Sequence, residues 1–178
     1  MTNRYARIRS ARFFRPSPLD MSVISRGAFE EALTLAKAVN GNLMLLHVLS
    51  SDEEGTPSMP NLPSIEYYPA LEPEPLERYQ KQWEAWEKQG LDVLILLANQ
   101  ANAAGVSTEF TQLSGTPGRT ICEFAQNWKA DLIMIGRRGR SGLRELFLGS
   151  VSNYVLHHAP CSVLTVQHPV TVSKNEAA

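Results

Sequence analysis

Residues 136 to 150 carry the pattern with the clearest chemical use: Gly136-Arg137-Arg138-Gly139, nine residues, then Gly149-Ser150. Glycine has no Cβ, so Gly136 and Gly139 can take positive φ and let backbone amides approach a ligand. Gly149-Ser150 reads as the opening of a helix, where the first amides lack intrahelical partners and the dipole favours an anion. Free amides, a helix N-terminus and a hydroxyl at one place form a cradle for phosphate. The pattern contains neither the Gly-Lys-Ser/Thr of a Walker-type loop nor the Gly-x-Gly-x-x-Gly of dinucleotide folds. Arg137, Arg138, Arg140 and Arg144 can clamp phosphate or simply face water, with Arg137 best placed inside the glycine frame. Glu145 is the only carboxylate in the stretch. It has no paired acid, nucleophile or metal ligand beside it, so binding is expected here, with no catalytic residue and at most slow incidental hydrolysis.

A cradle of this kind needs a strand before it and a helix after it. Ala130 to Ile135 is an apolar run fit for a buried strand, and 150 to 157 a helix closed by Ala159-Pro160. Upstream, residues 23 to 39 form an amphipathic helix stopped by Asn40-Gly41, and Asn42 to Leu49 is a strand buried on both faces. Residues 50 to 75, with Asp52-Glu53-Glu54 and six prolines, read as an inserted loop. It is either a lid or a plain surface insertion. A helix from Leu76 to about Ala104 ends at Gly105, and 106 to 113 alternates like a half-buried edge strand. Thr116-Pro117 caps and opens a helix bearing Ile121, Phe124, Ala125 and Trp128, and Ser162 to Val166 is a last strand. Alternating strands and helices imply a parallel sheet covered on both faces, with ligands beyond the carboxyl ends of the strands, just after Val48 and Ile135.

Composition narrows the partners. Lys and Arg number 17 against 18 Asp and Glu, a net charge of −1, which disfavours a nucleic-acid or anionic-lipid surface. No apolar run approaches the roughly 20 residues of a membrane helix. Cys122 and Cys161 match neither metal-ligand nor disulfide spacing, as in a reducing cytoplasm. The 178 residues suit one domain. His47, Trp83 and Trp86 read as packing residues, and His157 and His158 as helix-end cations rather than metal ligands.

The glycine pattern, the preceding Ala130-Asp131-Leu132-Ile133, Leu46-His47-Val48 and the following Ala159-Pro160-Cys161 together resemble the universal stress protein family from Pro18 to Val166, within a domain of 16 to 168. The resemblance implies a single-domain α/β fold with a five-stranded parallel sheet, flavodoxin-like or adenine-nucleotide alpha-hydrolase-like, and helices on both faces. It implies ATP or another adenine nucleotide, with or without Mg2+. Val48 would meet the base, and Met134, Gly136, Arg137, Gly139, Gly149, Ser150 and Val151 would line the rest of the site. It also implies a cytoplasmic stress-response regulator acting as a homodimer through the last strand.

The first fifteen residues depart from that pattern. Arg4, Arg7, Arg9, Arg12 and Arg15 carry no acid among them, as in a basic arm, an organellar presequence or a divergent terminus. Setting Ser17 in the family's frame puts a first strand on Arg9 to Phe14 and Arg15 where an aspartate belongs. Charges in a central strand cost several kcal/mol if unpaired. Three expectations follow: the strand lies at an edge or stays unformed, other residues form it, or the reading frame slipped upstream of Ser17. A nucleotide-free interaction module of the same fold is the alternative function. The tail, 169 to 178, is left outside the domain.

Overall fold

A computed structural model describes residues 9–13, 23–51, 56–58, 74–136 and 149–166. The strands are β1 (Arg9–Phe13), β2 (Asn42–Leu49), β3 (Thr108–Ser114), β4 (Leu132–Gly136) and β5 (Ser162–Val166). The helices are α1 (Val23–Ala38), α2 (Glu74–Ala103), α3 (Pro117–Trp128) and α4 (Ser150–His158). Arg15, residues 52–55 and 59–73 of the proline-rich stretch, and residues 137–148 lie outside the described residues; α2 begins at Glu74, two residues before the expected Leu76, because Pro75 suits the first turn of a helix.

Three helices stop by the same device, and that device sets where the next strand begins. Asn40 takes φ 50° and Gly41 donates its amide to Ala36 O at 2.8 Å. Gly105 takes φ 86° and Val106 bonds back to Ala101 O at 3.0 Å. Lys129 takes φ 56° and Ala130 bonds back to Ala125 O at 2.9 Å. Each left-handed residue lets the chain reverse and satisfies a helix carbonyl, the six-to-one bond of a Schellman turn. Val106 and Ala130 are spent in those turns. For that reason β3 and β4 start at Thr108 and Leu132, two residues later than the apolar patterns suggest.

All pairings are parallel, and the strands lie in the order β3-β2-β1-β4-β5. This corrects the flavodoxin-like expectation, whose order would be 2-1-3-4-5; the observed order is the Rossmann order 3-2-1-4-5-6 without its last strand. It also corrects the expectation that the arginine-bearing first strand would lie at an edge or fail to form. β1 is the middle strand, with Phe13 opposite Leu46 on one side and Ile135 on the other. Parallel pairing on both flanks overrides the unfavourable composition of five residues.

Side chains alternate across the sheet, so one strand feeds two cores. Leu43, Leu45 and Met134 pack with Phe29 and Ala32 of α1 and Leu94 and Ala98 of α2. Leu46, Val48, Ile133 and Ile135 pack on the other side with Ile121 and Ala125 of α3 and Val155 of α4. Helices therefore cover both faces, α1 and α2 on one and α3 and α4 on the other.

Candidate functional site

The strand order reverses between β1 and β4. The chain builds β1, β2 and β3 outward in one direction, then returns to place β4 and β5 on the other flank. At such a switch point the loops after neighbouring strands part and leave a crevice beyond the carboxyl ends. Gly136 closes β4 at this point, paired with Val166. Its extended place in the ladder differs from the positive φ expected of it, because pairing to β5 runs through the last residue of the strand.

Opposite Gly136, α4 opens at Gly149, whose φ −61° and ψ 155° are extended, and no side chain caps it. Asn153 N bonds to Gly149 O at 2.9 Å, the first intrahelical bond. The amides of Ser150, Val151 and Ser152 precede that bond, so helical geometry gives them no acceptor within α4. The first turn has no acidic residue, while His157 and His158 stand in the last turn. No acidic residue of α4 itself compensates the positive end of the dipole, a distribution that suits an anion. Ser150 is exposed, and Val151 anchors the turn by packing against the α3–α4 core.

Ser152 went unnoticed in the sequence reading. It is 5% exposed, and its hydroxyl donates to Gly136 O at 3.3 Å. A small hydroxyl residue two places after the helix start was the available signal, since such residues serve helix termini.

Val48 is the penultimate residue of β2, with its side chain 5% exposed in the α3–α4 core. Among the described residues β2 pairs with β1 through Leu46 and with β3 through Leu49. With β1 between them, the ends of β2 and β4 stand about 10 Å apart, two strand spacings. Met134 is not brought to this end. It is 1% exposed within the α1–α2 core, two residues inside β4. Its side chain supports the sheet from below and lines no open surface. Arg137 and Gly139, with Arg138, Arg140, Arg144 and Glu145, lie outside the described residues.

His47 is 1% exposed and tilted on Trp86, ring centroids 5.8 Å apart, which fits a packing histidine. Trp86 continues through Trp83 at 5.4 Å and Tyr79 at 6.3 Å along α2. Burial pushes the thiols of Cys122 and Cys161 above their ordinary range. Among the described residues no group of three His, Cys, Asp or Glu side chains could hold a metal ion. No helix among them is long and apolar enough to cross a membrane.

A parallel sheet in this order, with a helix N-terminus facing the last residue of the strand at its switch point, defines a doubly wound α/β protein. The chain belongs to the universal stress protein family, whose model matches residues 17–167. It is 37% identical over 153 residues to the universal stress protein Sll1388 of Synechocystis, which covers 84% of this chain and 94% of that one. Among solved structures, the fold is similar to a universal stress protein family protein from Arabidopsis thaliana with AMP bound, at TM-score 0.59 and 21% identity, covering 94% of this chain and 97% of that one. It is also similar to a universal stress protein in complex with cAMP, at TM-score 0.57 and 21% identity, covering 92% and 100%.

Proposed function

We propose that this chain binds an adenine nucleotide, ATP by the family resemblance, and serves as a stress-response regulator through binding rather than turnover. The observation that carries this reading is the uncapped first turn of α4 set against Gly136 at the switch point. Phosphates would accept from the amides of Ser150 and Val151, and from the backbone of Gly136 to Gly139, with Arg137 as counter-charge. The base would lie toward Val48, next to last in β2 at the carboxyl end of the sheet. The AMP and cAMP in the two structures of similar fold support an adenine ligand. Mg2+ would accompany the phosphates, bound by them rather than by a protein cage.

The domain spans 16–168, preceded by the arginine-rich segment and followed by the tail. It acts as a cytoplasmic homodimer, joined through β5. That strand is a sheet edge, with Leu164 41% exposed on it, and an unpaired edge is a template for a second copy.

Titration with a fluorescent ATP analogue tests the reading: saturable binding is expected, and its absence at millimolar nucleotide overturns it. Gly139→Val supplies the control, since a Cβ there should block backbone approach. Arg15 in place of the family's acid favours the second reading, a nucleotide-free dimeric interaction module. Dimerisation without any nucleotide binding would select it.

A further inference from the structure

We propose that Ser152 is a positioning residue for the phosphate cradle, its hydroxyl holding the last residue of β4 against the first turn of α4; this rests on the nucleotide reading above. Ser152 is 16 residues from Gly136 in sequence, yet its Oγ lies 3.3 Å from Gly136 O. The bond is at the long end of the range for a hydroxyl and a carbonyl. Its setting gives it weight, because the residue is 5% exposed and a buried hydroxyl needs a partner.

The two groups it joins are the two ends between which the glycine-framed segment runs. β4 cannot move at Gly136, which is held by Val166 of β5. α4 is held at its middle by Val155, fully buried in the core. Its first turn has no side-chain cap of its own. The Ser152 hydroxyl is thus a tie between the strand end and that turn, fixing how far the amides of Ser150 and Val151 stand from Gly136. Preorganised donors bind an anion without the cost of ordering them first.

The test compares wild type, Ser152→Ala and Ser152→Thr in the full chain. Amide hydrogen exchange is read without nucleotide, and affinity is read with a fluorescent ATP analogue. The alanine variant is expected to exchange faster at residues 153–155, whose amides make the first bonds of α4, while α1 and α2 keep wild-type protection, and to bind the analogue about tenfold more weakly. Threonine, which keeps the hydroxyl, should restore both. Wild-type affinity in the alanine variant overturns the proposal, as does faster exchange spread evenly over all helices, which would mark a merely structural role. Should wild type itself fail to bind, the nucleotide reading falls alone. The exchange data then still decide the tie, with unchanged protection at 153–155 overturning it.

Discussion

Gly90 of α2 lies so close to His47 of β2 that a Cβ at position 90 would stand 2.6 Å from the Nδ1 of the imidazole. A glycine inside a helix ordinarily costs about 1 kcal/mol relative to alanine. Here the helix approaches the strand through the space the missing side chain leaves, and the His47 ring, tilted on Trp86, has little room to retreat. Gly90→Ala should therefore destabilise the protein by about 1–2 kcal/mol, the overpacking cost less the gain in helix propensity. In a His47→Ala background the same change should become stabilising. Denaturant unfolding of the double-mutant cycle checks the reversal of sign, and an unreversed sign would show the contact to be slack.

Gly118 of α3 plays the same part against α4. A Cβ there would meet Tyr154 Cδ1 at 2.7 Å and Tyr154 Cβ at 2.9 Å. The tyrosine ring can swing, but its Cβ is fixed to the helix, so α4 itself must yield. Gly118→Ala should cost about 1–3 kcal/mol in stability. Because α4 carries the candidate cradle, it should also weaken nucleotide binding, read by the same titration.

The two thiols give a pH prediction. Burial raises Cys122 from its ordinary 9.0, with the Glu123 charge adding to it. Burial also raises Cys161, with Asp131 and the Cys122 thiol adding and a backbone hydrogen bond from Ile133 opposing. A value raised by folding means the folded state holds the proton more tightly, so this stabilisation is present below pH 9 and lost as pH rises through the folded values. The fall in unfolding midpoint between pH 8 and pH 10.5 should be shallower in Cys161→Ala than in wild type. Both thiols should react with iodoacetamide at pH 7.5 more slowly than free cysteine does.

Leu164 gives a test of assembly. It is 41% exposed on the β5 edge. A charge placed on a strand edge disfavours pairing with another chain. Leu164→Asp should shift the protein from dimer to monomer in light scattering while leaving its circular dichroism unchanged. A persistent dimer would move the interface elsewhere.

Much of this was legible because local chemistry agreed with the fold. β2 reads off its apolar run, and α3 starts at Thr116-Pro117 as the cap signal suggests, although no Thr116 side-chain bond caps it. Gly149-Ser150 marked the helix start correctly. Strand order was not legible, since a buried strand looks the same whichever neighbours it has. The place of β1 was missed for the opposite reason. Its arginines argue for an edge, and only register with Leu43–Leu46 and Leu132–Ile135 reveals it in the middle. Ser152 shows in the sequence only as a hydroxyl near a helix start, because its partner is a backbone carbonyl that sequence cannot locate.

The central place of β1 shapes how the molecule comes together. Its first neighbour, β2, follows within a helix's length, but its second, β4, arrives more than a hundred residues later along the chain. Closing so long a loop is entropically slow, and folds dominated by such distant pairings are late to complete. On a ribosome, the half-sheet of β1, β2 and β3 would wait with one flank of β1 bare until β4 emerges. The segment that reads least like a core strand is then also the one left longest without its partner, a natural point for a holding chaperone to act.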